Sequence, residues 1–70
     1  MYHQRIILYG SSAARKRARN ILENLEEVRR EETLNNGTEM RLLLSKPLKE
    51  TSLIPLLRSS GIHGFRLVEV

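Results

Sequence analysis

The side chains best suited to chemistry lie together in one short stretch, residues 10–19. The stretch opens with Gly-Ser-Ser and then carries four of the twelve basic residues of the chain. Free backbone N–H groups at such a turn, together with nearby cations, can hold a phosphate or another anion. The spacing is not that of a Walker motif. The candidate binding residues are Gly10, Ser11, Ser12, Ala13, Arg15, Lys16, Arg17 and Arg19.

No set of residues has the spacing of a catalytic site. Ser11 and Ser12 begin a helix, where serine is typical as a cap rather than as a nucleophile. His3 and His63 are the only imidazoles, and the sequence places them in different loops without a fixed carboxylate, which favours ordinary surface histidines. Cysteine is absent, so a thiolate metal site cannot form. We therefore predict that the protein is not an enzyme and has no catalytic residue, metal ligand or cofactor.

Length and composition set further limits. The 70 residues have room for a single domain, residues 1–70, with a small core. The net charge of +4 favours anionic partners only where basic residues cluster. No apolar run approaches the roughly 20 residues of a membrane span, the N-terminus lacks a secretory signal, and the absence of cysteine fits a reducing compartment. These features predict a cytoplasmic protein without a transmembrane segment.

The elements on either side of residues 10–19 would hold that stretch in place. An apolar strand over residues 4–9 leads into it, and neither face of this strand is strongly polar, which is typical of a central strand. A helix capped by one of the two serines follows. Arg15 and Arg19 lie off its apolar stripe, so we expect them to be surface charges. The stripe consists of Ala14, Ala18, Ile21, Leu22, Leu25 and Val28.

Residues 26–34 admit two interpretations. Their composition suits a helix, and a continuous helix reaching Leu34 would be about 35 Å long. Strands of the length available here span only about 20 Å, so such a helix would overhang the sheet and leave a βαβαβ domain. The alternative ends the helix near Glu27 and makes residues 28–34 a charged edge strand, in a hairpin that turns at Asn35-Asn36-Gly37. We favour the hairpin.

The rest of the chain continues the alternation of strand and helix. A strand over residues 40–44 ends at Lys46-Pro47, and a last strand covers residues 65–70. Between them we predict a helix over residues 53–60 that stops at a left-handed Gly61. This helix is expected to have Thr51 or Ser52 as its cap, Pro55 in its first turn, and a buried stripe of Leu53, Leu56 and Leu57, with Ile54 at its margin.

The order strand, helix, strand, strand, helix, strand predicts an α+β, ferredoxin-like βαββαβ fold. Such a fold has a four-stranded antiparallel sheet with two helices on one face. Gly10 lies at the exit of the first strand, Ile21 and Leu25 lie in the first helix, and residues 53–61 read Leu-Ile-Pro-Leu-Leu-Arg-Ser-Ser-Gly. On the basis of these features, nearly the whole chain resembles the heavy-metal-associated domain of copper chaperones and P-type metal ATPases.

The metal motif of that family, Gly-Met-x-Cys-x-x-Cys, is degenerate here. Its two cysteine positions fall on Ala13 and Lys16, or on Ala14 and Arg17, depending on a one-residue choice of register. Soft thiolates select Cu(I), and a fixed positive charge at a ligand position repels a metal ion. The resemblance therefore implies the fold and a surface for docking a protein, without metal binding.

Two functions follow from these residues. The first is a non-catalytic, metal-free interaction module whose protein partner contacts residues 10–19. The alternative is a small nucleic-acid or anion binder that uses Arg15, Lys16, Arg17 and Arg19. We expect nucleic-acid binding to be weak, because the basic turn is short, acidic residues follow on the same helix, and Tyr2, Tyr9 and Phe65 are the only aromatic residues available for stacking on bases. The sequence does not specify an oligomeric state.

Overall fold

A computed structural model describes residues 1–69 of the chain and confirms the βαββαβ order. The strands pair antiparallel in one sheet, in which the first strand is flanked by the third and fourth and the second lies outside the third. No helix within these residues is both long and apolar enough to cross a membrane. The strands are β1 (Tyr2–Tyr9), β2 (Val28–Leu34), β3 (Glu39–Leu44) and β4 (Gly64–Glu69), and the helices are α1 (Ser12–Glu23) and α2 (Glu50–Arg58).

The core lies between the helices and one face of the sheet. On the central strand β1, Ile6 and Leu8 point into this core because alternate strand residues share a face. Burying an aliphatic side chain of this size contributes about 1.5–3 kcal/mol, and the core is built almost entirely from such side chains. The core residues are Ile6, Leu8, Ala18, Leu22, Met40, Leu42, Leu44, Leu48, Leu53 and Leu57.

The polar side chain of Gln4 is fully buried beside these apolar residues. Gln4 Nε2 donates to the Leu48 carbonyl over 3.2 Å and to the Glu69 carboxylate over 2.7 Å, and Gln4 Oε1 accepts from the Leu48 backbone N–H over 2.8 Å. Buried polar groups left without partners cost about 1–3 kcal/mol each, so the amide stabilises the fold by satisfying the backbone of Leu48. Gln4 thereby connects β1 to the segment before α2 and to the end of β4.

Residues 28–34 form the predicted hairpin strand, and the continuous-helix interpretation is wrong. The helix ends at Glu23, one turn before the predicted end near Glu27, with Asn24 as its C-cap. The hairpin turn contains two left-handed asparagines, at φ +52° and +56°, followed by Gly37 at φ +86°. Asparagine and glycine adopt this conformation at low cost, which explains why the Asn-Asn-Gly sequence turns here.

Several boundaries in the second half of the chain differ from those predicted. Helix α2 begins at Glu50 after Lys49, which makes no side-chain cap, so neither Thr51 nor Ser52 is the N-cap. Pro55 consequently lies in the second turn rather than the first. The predicted stripe is wrong at Leu56, which is 43% exposed, while Ile54 is 44% exposed. The helix ends at Arg58 rather than Ser60.

The strand boundaries also shift by a few residues. The first strand begins at Tyr2, so His3 lies within it rather than in a loop. The last strand begins at Gly64. Its predicted terminal residue, Val70, lies outside the described residues.

Candidate binding surface at the first strand-to-helix turn

The turn from β1 to α1 packs directly against the loop before β4. The His63 backbone N–H donates to the Tyr9 carbonyl over 2.7 Å. Gly10 has φ +154°, and a Cβ atom at this position would lie 3.1 Å from Ile62 Cα. Glycine is therefore required here by the close approach of a second backbone segment. Ser11 Oγ then accepts from the Ala14 backbone N–H over 3.1 Å, which confirms the predicted serine cap of α1.

Arg15 folds back onto the turn that precedes it. Its Nη1 donates to the Gly10 carbonyl over 2.6 Å, and its side chain is half-buried rather than free in solvent. Its Nε is buried and has no hydrogen-bond partner among residues 1–69. The Arg15 guanidinium thus connects the first turn of α1 to the backbone that precedes the helix.

Arg17 and Arg19 connect α1 to two other chain reversals. Arg17 Nε donates over 2.9 Å to the carbonyl of Ser60, just beyond α2. Arg19 Nη1 donates to the carbonyl of Gly37 in the β2–β3 turn. The expectation that Arg15 and Arg19 are simple surface charges is therefore wrong. Both lie off the apolar stripe, but their long side chains extend to backbone carbonyl groups and bond to them.

The exposed members of the predicted site are Ser12, Ala13, Lys16 and Arg17, alongside the capping Ser11. Lys16 is the one cation of this stretch that makes no hydrogen bond or ion pair within residues 1–69. Residues 58–61 lie beside these positions and add Arg58. We call residues 10–19 and 58–61 the basic end of the molecule. It has five cations and no acidic residue: Arg15, Lys16, Arg17, Arg19 and Arg58.

The two alternative cysteine registers differ in their surroundings. Ala13 and Lys16 are exposed, whereas Ala14 is buried and Arg17 is bonded to Ser60. Neither pair supplies a thiolate or a carboxylate. Within residues 1–69, no group of three or more His, Asp or Glu side chains is placed to hold a metal ion.

Residues 58–61 belong to the surface but were not among the predicted site residues. Their position depends on the long-range contact of Arg17 with Ser60 and of the loop with Gly10. The sequence did predict the left-handed Gly61, which has φ +86°. It contained no signal that this glycine packs beside α1, because that contact joins positions more than forty residues apart.

The yeast copper transporter domain CCC2A, solved in solution in the apo and Cu(I)-loaded states, has a similar structure. The match has a TM-score of 0.63 and covers 100% of this chain and 96% of that domain, at 14% sequence identity. This similarity supports the heavy-metal-associated type of fold that the sequence resemblance implied. At this identity it shows the fold alone. No protein-family model and no curated protein sequence matches the chain.

The arginine contacts predict a difference in stability between neighbouring positions of α1. Replacing Arg17 or Arg19 with alanine should lower the free energy of unfolding by about 1 kcal/mol each, because each change removes a charge-assisted bond to a carbonyl. Lys16→Ala is the matched control and should change the free energy of unfolding by less than about 0.5 kcal/mol. Urea denaturation followed by circular dichroism measures all three. Equal effects at the three positions would contradict the structural role of the arginines.

Proposed function

We propose that the protein is a non-catalytic, metal-free interaction module that binds a protein partner through its basic end. The observation that carries the proposal is the internal bonding of the turn. Ser11 Oγ caps the helix and Arg15 Nη1 bonds the Gly10 carbonyl, so side chains of the protein itself fix the backbone of the turn. A surface with a fixed shape loses little conformational entropy on binding, which favours affinity.

Charge supports an acidic partner surface. The basic end has five cations and no acidic residue, and complementary potentials speed association and select against wrong partners. Exposed Lys16 and Arg58 are free to contact such a partner, while Arg17 keeps charge beyond its single bond to Ser60. The proposal places the protein in the cytoplasm, since a chain without cysteine suits a reducing compartment.

Site-specific cross-linking in cells that express the protein tests the proposal. A photoactivatable amino acid at exposed position Ala13 should give a discrete product with one protein, which mass spectrometry then identifies. The same amino acid at Lys46 is the control, because Lys46 is exposed just beyond β3, at the opposite end of β1. With the purified partner, Lys16→Glu should weaken binding about fivefold or more through loss of a charge pair. Equal products from both positions would contradict a docking surface at the basic end.

Metal titration tests the second part of the proposal. Cu(I) and Zn(II) should produce no saturable one-to-one change in the amide resonances of residues 10–19, because no thiolate is present and cations occupy this region. Mutating His3 and His63 to alanine provides the control for adventitious imidazole binding. A stoichiometric, tight complex located at the turn would overturn the argument from missing ligands.

The alternative, a nucleic-acid or anion binder, draws support from exposed Lys16, which makes no hydrogen bond or ion pair within residues 1–69, and from exposed Arg17 beside it. Four phosphate contacts on duplex DNA would give a slope of log affinity against log salt of about −3 to −4. We expect only weak binding at physiological salt, because Arg15, Arg17 and Arg19 each use a donor on a backbone carbonyl. Fluorescence anisotropy over a salt series measures this. A submicromolar complex with that slope, lost in Lys16→Glu, would favour the alternative.

A further inference from the structure

The sheet has two outer strands, and they are protected unequally. Exposed strand edges invite pairing with other chains, and proteins usually blunt them with charges, bulges or prolines. On β2, four consecutive charged residues, Arg29 to Glu32, and a register shift between Val28 and Arg30 serve this purpose. That edge is unsuited to further pairing.

The opposite edge, β4, has no bulge and no proline, and its two charged residues, Arg66 and Glu69, are not adjacent. Its sequence is Gly-Phe-Arg-Leu-Val-Glu, it pairs with β1 in an unbroken register, and its four central side chains include three apolar ones. Within residues 1–69, no strand pairs with its outer side. The backbone groups on that side are therefore available to an added strand.

A groove of about 330 Å³ lies between α2 and the start of β4. Its floor is apolar, with Leu57 buried and Ile62 and Phe65 half-buried, and Ile54 at its side is 44% exposed. Apolar side chains of a strand added to β4 would point into this groove at every second residue, because strand side chains alternate between faces.

The charges around the groove and on the other face of β4 are positive. Among the described residues, Arg58 is the one charged residue that lines the groove, and no acidic residue does. Arg66 is exposed opposite Ile7, on the sheet face away from the helices. A strand that presented apolar side chains to the groove would present its alternate side chains next to Arg66, where carboxylates fit best.

We propose that β4 binds an extended segment of a partner protein in which apolar and acidic residues alternate, by adding it to the sheet as a fifth strand. Main-chain hydrogen bonds would supply affinity, the groove would select the apolar positions, and Arg66 would select the acidic ones. This surface shares Arg58 with the basic end, but its strand edge and the apolar floor of its groove consist of other residues, so the inference does not depend on the partner proposed for the basic end.

The test uses an acetylated and amidated hexapeptide in which leucine alternates with glutamate, added to the isotopically labelled protein. Saturable chemical-shift changes are expected in residues 64–69 and in the groove, together with slower amide exchange on β4. The Arg66→Glu variant should bind the peptide about tenfold more weakly and should prefer a peptide that alternates leucine with lysine. Arg30→Glu, on the other outer strand, is the matched control and should leave affinity unchanged.

Methylation of the peptide backbone tests the pairing itself. Alternate N–H groups of an added strand bond to the edge, so one of two peptides, methylated at the leucine or at the glutamate nitrogens, should lose binding and the other should retain it. Equal binding of both would exclude strand addition. Chemical-shift changes confined to residues 10–19 would overturn the proposal and indicate binding of the peptide by charge at the basic end. Chemical-shift changes on β4 that depend on protein concentration, without peptide, would overturn it in favour of pairing with a second copy of the chain.

Discussion

Three arginine side chains of α1 hold the chain reversals together at one end of the sheet. Arg15 bonds the turn before the helix, Arg17 bonds the residues after α2, and Arg19 bonds the β2–β3 turn. Each backbone carbonyl satisfied in this way has no partner in a helix or strand, and a guanidinium is well suited to it because it carries five donors on a long side chain. The local arrangement at this end of the molecule depends on these bonds.

Two of the bonds at this turn are made by the chain's own side chains to its backbone. In the resembling family the corresponding turn carries the two cysteines, whereas here a serine hydroxyl and an arginine satisfy the local backbone. In the second of the two registers that the resemblance allows, the Arg17 side chain that reaches Ser60 stands at one of that family's cysteine positions. The turn therefore combines positive charge with a fixed backbone, which is the physical basis of the function we propose.

The overall fold could be predicted from the sequence because its signals are local and repeated. The apolar stripe of α1, the Asn-Asn-Gly turn and the apolar run of β1 each indicate one element, and together they allow few topologies. The start of α2 could not be predicted by the same reasoning. The backbone at Lys49 begins the helix without a side-chain cap, so the serine and threonine that suggested the boundary lie inside the first turn.

The candidate site was predicted by residue type but not by contact. Charge and position identified residues 10–19 correctly as a basic stretch at the start of a helix. The carbonyl partners of Arg17 and Arg19, and the amide network of Gln4, join distant segments, and no local pattern encodes them. Which cations remain free to bind a partner depends on which arginine side chains bond to distant carbonyl groups, and the spacing of residues along the helix does not reveal this.

The central position of β1 has a consequence for the order in which the protein can form during synthesis. This strand is synthesised before the other three strands of the sheet, yet Ile6 pairs with Met40 on one side and with Leu67 on the other. Both edges of β1 remain unpaired until those distant residues have been translated, so its apolar side chains are not yet buried by a sheet. Non-local pairings of this kind slow folding and expose a nascent chain to aggregation. The most local strand pairing available to the nascent chain is the hairpin of β2 and β3, whose strands are joined by a short turn.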